Sequence, residues 1–316
     1  MKTLTLHDGT QMPAFGLGTW KSKPDEVYQA VRTAIEVGYR HIDCAAVYQN
    51  ETDVGRALSD AFAAGDVTRE ELWVTSKLWN DAHAQDEVQA ALTESLRKLQ
   101  LDRLDLYLMH WPIVLQPGVY LPRSASDFRP LSDVPLETTW AAMLETAERG
   151  LARQVGVSNF TASKIKKVSE AVGVTPAMNQ VELHPYLQQP KLLAACASMG
   201  VALTAYSPLG SPDSATMFGR EDGVRLTEHP TIQEVASRRG ATPGQVLIAW
   251  GLDRGTAVIP KSVNPSRIKE NLGAEDVVLD DEDRTAIAAL NADRRMLDAS
   301  FWFVGDDYDA ESFWAE

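Results

Sequence analysis

Four side chains of this chain have types and placements that could do proton chemistry together: Asp43, Tyr48, Lys77 and His110. Leu104–Met109 is nearly continuous apolar sequence, the pattern of a strand buried on both faces, and Pro112 cannot donate to a sheet ladder. His110 therefore sits at the carboxyl end of a buried strand. Asp43 ends an earlier strand, Tyr48 follows in the next loop, and Lys77 ends the strand after that. A buried lysine needs a partner, and Asp43 is the natural one. A tyrosine is a weak acid at neutral pH, with a pKa of about 10. A lysine ammonium beside it favours phenolate and lowers that value. The hydroxyl then becomes a proton donor, and a neighbouring histidine can orient a carbonyl oxygen. Taken singly, each residue also fits a structural role: a core histidine bonded to a carbonyl, an internal salt bridge, an unrelated tyrosine.

The sequence holds no GxSxG nucleophile motif and no HExxH or other compact metal cluster, so the second reactant is expected from a cofactor. Gly16-Leu17-Gly18 is followed by Lys21 where a third glycine would complete a GxGxxG turn, which excludes a Rossmann reading. An anion site is expected instead at Lys261, Ser262, Asn264 and Arg267, a basic and polar cluster at the start of a helix, with Lys269 nearby. A solvated helix N-terminus is the alternative. Trp20, Trp79 and Trp111 fall at or beyond strand ends, either as core or as the apolar wall of a substrate pocket.

The elements that must position these groups alternate along the chain. A small hairpin over Thr3–Met12 is followed by eight strand signals: Phe15–Leu17, His41–Asp43, Leu72–Lys77, the His110 strand, Val155–Ser158, Ala177–Gln180, Val201–Tyr206 and Ala257–Pro260. Helical periodicity separates them, as over Pro24–Val37, where Val27, Ala30, Val31, Ala34 and Ile35 share one face and Gly38 stops the helix. Eight strands each followed by a helix predict a (β/α)8 TIM barrel, read as one domain over residues 1–316, with an N-terminal β-hairpin and long loops at the C-terminal face. A doubly wound open sheet is the competitor, because periodicity does not report closure. The long connections, Ile113–Pro135 and Ser207–Pro230, both leave the expected active face. The aromatic tail after Arg295 is expected to pack over the barrel mouth.

With 44 acidic against 30 basic residues the net charge is −14, which argues against nucleic-acid or anionic-membrane partners. Two cysteines make no disulfide framework and fit a reducing compartment. No signal-peptide core or membrane-spanning run is evident, so a cytosolic protein is expected.

Six motifs in order resemble the aldo-keto reductases, closest to the aldose and aldehyde reductase branch. They are Gly16-Leu17-Gly18-Thr19-Trp20, Gly38–Asp43 with Ala46-Val47-Tyr48, Thr75–Trp79, Leu106–Pro112, Gly156–Phe160 and Ile259–Ser262. The resemblance implies a monomeric, NADPH-dependent reductase of small carbonyl compounds. It makes Tyr48 the general acid, Lys77 the group that depresses its pKa, Asp43 the partner of Lys77, and His110 the group that orients the carbonyl. Histidine at 110, where steroid double-bond reductases carry glutamate, implies C=O reduction. By the same resemblance Ser158, Asn159 and Gln180 bond the nicotinamide carboxamide and Tyr206 stacks under its ring. Ser207, Leu209 and Ser211 lie along the pyrophosphate on a strap. Lys261, Ser262, Asn264 and Arg267 take the 2′-phosphate, and Glu270 and Asn271 sit near adenine. Two rivals remain: a cofactor-binding regulatory subunit with negligible turnover, and a barrel hydrolase or isomerase acting on a phosphorylated substrate.

Overall fold

A computed structural model describes residues 1–211, 225–304 and 308–315. Residues 212–224 of the expected strap lie outside the described residues. Strands β1 (Thr3–Thr5) and β2 (Gln11–Pro13) form the antiparallel hairpin. The barrel strands follow: β3 (Leu17–Gly18), β4 (His41–Asp43), β5 (Trp73–Leu78), β6 (Leu104–Met109), β7 (Ala152–Ser158), β8 (Met178–Glu182), β9 (Ala202–Tyr206) and β10 (Ala257–Val258). They pair in parallel, each with its neighbour in sequence. Helices α1 (Pro24–Val37), α2 (Glu51–Ala64), α3 (Gln85–Leu99), α4 (Leu136–Glu148), α5 (Ala162–Val172) and α6 (Pro190–Met199) join consecutive strands from β3 to β9. Helices α7 (Pro230–Arg239), α8 (Pro243–Asp253), α9 (Pro265–Leu272) and α10 (Asp281–Ala288) complete the outer layer.

The sheet closes on itself, which eliminates the open-sheet competitor. Phe15 bridges Val258 and Gly18 bridges Lys261 in parallel. The amide of Gly16 donates to Val258 O at 2.9 Å and that of Gly18 to Pro260 O at 3.1 Å. The two seam strands are shorter than their apolar runs predict, because Pro260 has no N–H and the contact there narrows to single bridges. A Cβ on Gly18 would stand 2.8 Å from Ile259 O, so the seam requires glycine there. Other boundaries shift too: β7 begins at Ala152, β8 runs on to Glu182, and β5 runs on to Leu78, which pairs with Met109, so Lys77 is not its last residue.

Strand alternation divides the apolar side chains into two cores. Val74, Leu78, Tyr107 and Met109 point outward and pack with the inner faces of the helices. Trp73, Leu106, Leu108, Met178 and Ala257 point inward and meet Leu6 and Met12 of the hairpin, which plugs the N-terminal end of the barrel. Each such side chain, fully buried, contributes about 1.5–3 kcal/mol. Helix α1 shows how the outer layer is specified: Pro24 starts it, the five apolar residues on its inner face are buried, and Gly38 ends it at φ +112°.

Candidate active site

The inward register continues past the plug. His41 and Asp43 share one face of β4, Thr75 and Lys77 share one face of β5, and Leu106, Leu108 and His110 follow one another along β6 and its end. Ser158, Gln180 and Tyr206 fall on the same register of β7, β8 and β9, in which Ser158 pairs with Gln180 and Glu182 with Tyr206. These polar groups therefore converge on the barrel axis at the carboxyl ends of the strands, above an apolar floor.

Lys77 is fully buried. Its Nζ donates to Asp43 Oδ1 at 2.5 Å and to Cys44 O at 2.7 Å, and lies 3.4 Å from the Tyr48 hydroxyl. The other Asp43 oxygen accepts from Gln180 Nε2 at 2.7 Å. The Tyr48 and His110 rings meet edge to face, with centroids 5.8 Å apart. Burial, with the Asp43 carboxylate adding to it, pushes the Tyr48 phenol well above its ordinary pKa. This corrects the expectation that the neighbouring ammonium lowers it. Desolvation outweighs the ammonium, which is already committed to the Asp43 carboxylate and a carbonyl. Burial, then the charge of Lys77, pulls His110 well below its ordinary pKa, so the imidazole is neutral.

A cavity of about 910 Å³ opens over these groups. Asp43, Tyr48 and His110 line it, whereas Lys77 sits behind its wall. All of the other residues expected to bind cofactor or substrate line the same cavity. Ser158, Asn159, Gln180 and Tyr206 are central. Asn159 Nδ2 donates to His110 O at 2.9 Å and to Ser158 Oγ at 3.1 Å, while Asn159 Oδ1 accepts from the Tyr206 hydroxyl at 2.8 Å. Ser158 Oγ donates to Gln180 O at 2.8 Å. Ser207, Leu209 and Ser211 line one side, with a 2.8 Å hydrogen bond between the two serine hydroxyls.

The far end is polar. It is formed by Lys261, Ser262, Asn264, Arg267, Glu270 and Asn271. Asn264 caps α9 by accepting from the Arg267 amide, and Glu270 accepts from the Thr242 hydroxyl at 2.8 Å. Lys261 and Arg267 make no ion pair among the described residues. Two cations on one cavity wall, without an ion pair among the described residues, are groups that could hold an anion.

Trp20, Trp79 and Trp111 border the opposite end. Trp79 and Trp111 serve as both wall and core: they face the cavity and pack behind it on Trp302 at 5.8 Å each, while Trp111 also meets Phe301 at 5.6 Å and Trp314 at 6.4 Å. The aromatic tail thus lies against the barrel mouth, and Leu297 and Phe301 reach the cavity itself. Sequence reasoning did not single out Tyr120, Leu121, Arg225, Thr242 or Leu297, which also line the cavity. They come from aperiodic loops or a helix cap; the length of the two connections hinted at Tyr120, Leu121 and Arg225, and the expected packing of the tail at Leu297. A backbone signal is visible after the fact: Lys21, Asn159, Ser207 and Ser211 all line the cavity with positive φ, a strained state for these residue types.

The family model described as "Aldo/keto reductase family" matches residues 12–292. An aldo/keto reductase (slr0942) of Synechocystis is 47% identical over 100% of this chain and 97% of its own length. Aldo-keto reductase family 1 member A1-A of Danio rerio is 45% identical over 93% of this chain and 91% of its own. Among solved structures, a Bombyx mori aldo-keto reductase in complex with NADP superposes with a TM-score of 0.87 at 41% identity, covering 97% of both chains. The aldose reductase of Schistosoma japonicum gives 0.87 at 36%, over 95% of this chain and 96% of its own. The chain belongs to the aldo/keto reductase family.

Proposed function

We propose that the protein reduces aldehydes and some ketones to alcohols with NADPH, and that Tyr48 gives the proton. The observation that supports this reading is the phenol oxygen 3.4 Å from a buried ammonium, in a cavity shared with a neutral imidazole and a basic far end. The residues fit the cofactor: Lys261 and Arg267 are cations without a carboxylate partner among the described residues, and Ser158, Asn159 and Gln180 are polar groups beside Tyr48. Ser262 and Asn264 complete the phosphate end, and Tyr206, held by its hydroxyl, presents a ring to the central cavity. Bound there, NADPH would supply hydride for the carbonyl carbon. The carbonyl π electrons move to oxygen, and that oxygen takes the Tyr48 proton. The raised phenol pKa keeps the proton in place until the substrate oxygen becomes basic. The phenolate then faces Lys77 until solvent reprotonates it.

His110 contributes orientation. Its Nδ1 is buried without a partner among the described residues, and an orphaned N–H costs more than a bare lone pair. That assigns the ring proton to Nε2, free to bond the carbonyl oxygen. The tryptophan wall suits aromatic and medium-length aliphatic aldehydes. Gln180, tied to Asp43, acts as a brace between the proton donor's support and the cofactor floor. The reading takes the protein to be a cytosolic monomer. Among the described residues no helix is long and apolar enough to cross a membrane.

The test is NADPH oxidation against a panel of aldehydes, ketones and sugars, for the parent and for Tyr48→Phe. The expected result is turnover by the parent and a loss of about a hundredfold or more in the variant, with NADPH affinity by fluorescence unchanged. A Tyr48→Phe protein as active as the parent would remove the proposed proton donor. A parent that binds NADPH yet turns over no carbonyl would favour the regulatory-subunit reading.

A further inference from the structure

We propose that Glu182, which the reaction does not use, is a positioning residue that sets the substrate wall by anchoring the C-terminal segment to the barrel. Glu182 ends β8 on the inward register, next above Gln180, and is buried. Among the described residues its carboxylate bonds to no other strand. Instead Oε1 accepts from the Met296 amide at 2.6 Å and from His184 Nε2 at 2.7 Å, and Oε2 accepts from the Leu297 amide at 2.8 Å. Three donors converge on one carboxylate, and two of them are main-chain amides of a segment more than a hundred residues away in sequence. Burial alone would push this carboxyl up, but the bonds from His184, Met296 and Leu297 outweigh it and hold the group below its ordinary pKa.

The anchor continues along the loop after β8. Tyr186 O accepts from the Ala292 and Arg294 amides at 3.1 and 3.0 Å. Gln188 Nε2 donates to Ile287 O at 3.0 Å and to Ala288 O at 3.2 Å. Gln189 Nε2 donates to the Glu182 carbonyl at 2.6 Å, and its Oε1 accepts from Arg295 at 3.3 Å. The Arg295 guanidinium in turn covers the Trp314 ring at 3.7 Å. A short loop is thus the socket for everything between α10 and the tail, and Glu182 is its buried centre.

The consequence for the site is direct. Leu297, whose amide rests on Glu182, lines the cavity. Phe301, one turn further on, lines it too and packs on Trp111. This part of the wall is therefore tied to a strand of the barrel through the Glu182 carboxylate, alongside the bonds made by the loop after β8. Glu182→Gln replaces one acceptor oxygen with a donor that faces main-chain N–H groups, so the segment loses its registration while the strand keeps its shape.

The choice of substrates rests on the reductase reading; the exchange measurement below does not. In Glu182→Gln, hydrogen exchange at Met296–Phe301 is expected to accelerate about tenfold or more, with exchange in β8 unchanged. KM for a bulky aromatic aldehyde is expected to rise about tenfold, with kcat for propanal and the NADPH dissociation constant within about twofold of the parent. Glu182→Asp, which keeps the charge, is expected to recover most of the loss. Equal losses for propanal and the aromatic aldehyde, or unaltered exchange at Met296–Phe301, would overturn the proposal. Where Glu182→Gln fails to fold, Arg295→Ala must show the same order of effects at smaller size, and the absence of those effects would overturn the proposal equally. A parent without turnover sinks the reductase reading alone, and the exchange comparison still decides the anchor.

Discussion

At the scale of single residues, the site is built on one buried ion pair. Lys77 and Asp43 are both removed from solvent, and each is satisfied by further hydrogen bonds, from Lys77 to the Cys44 carbonyl and from Gln180 to Asp43. Removing one member strands the other, which costs about 3–5 kcal/mol. Lys77→Met is therefore expected to lower stability by that order in urea titration and to abolish turnover as well. Tyr48→Phe deletes only a hydroxyl from a group that no other fold contact requires, so its unfolding midpoint should stay near the parent's. The contrast separates a residue that holds the site together from one that reacts in it. Sequence alone suggested that these groups meet, because strand ends of a barrel converge on the axis. It misjudged the direction of the Tyr48 shift, because desolvation depends on the depth of a pocket and not on the spacing of motifs.

At the scale of elements, the start of α9 carries the anion end of the cavity. Asn264 caps the helix through the Arg267 amide, and the Ser262 hydroxyl accepts from the Asn264 amide at 3.2 Å, which fixes the turn from which Lys261 and Arg267 project. On the reading that this end takes the 2′-phosphate, Lys261→Ala and Arg267→Ala should each weaken NADPH by about tenfold while leaving NADH within about twofold, measured by fluorescence titration. Equal weakening of both cofactors would move the phosphate elsewhere. Helix and strand positions were readable from period and punctuation: α1 and β6 run over the same residues in structure and in pattern. The loops were not. Tyr120 and Leu121, half exposed at the cavity rim, come from a connection with no repeat to read, and Tyr120 is placed by packing on Trp79 at 6.0 Å. Closure of the barrel was also illegible, since a bridge between Gly18 and Lys261 leaves no trace in either segment's composition.

At the scale of the whole molecule, His41 and His83 join His110 in tying stability to pH. His41 lies inside the barrel and burial lowers its pKa to about 4; burial lowers that of His83 to about 3. Both are neutral when folded, and both regain an ordinary value of about 6.5 when the chain unfolds. Between those values the unfolded state binds more protons, so stability rises with pH. The contribution is complete above about pH 6.5 and is lost as pH falls through about 4 and then 3. Urea midpoints between pH 7 and pH 4 should fall steadily, and His41→Asn should flatten part of that slope. A midpoint independent of pH over this window would mean that neither ring is as dry as its surroundings make it.

The single-bridge seam also bears on how this chain is made. Until residues near Val258 and Lys261 have left the ribosome, Phe15 and Gly18 have no neighbour on one side. A nascent chain short of that point carries an unzipped strand edge around Phe15–Gly18, the form in which polypeptides pair with the wrong partner. The ring cannot be locked by its early half, so its synthesis is a long wait for two small closing bridges.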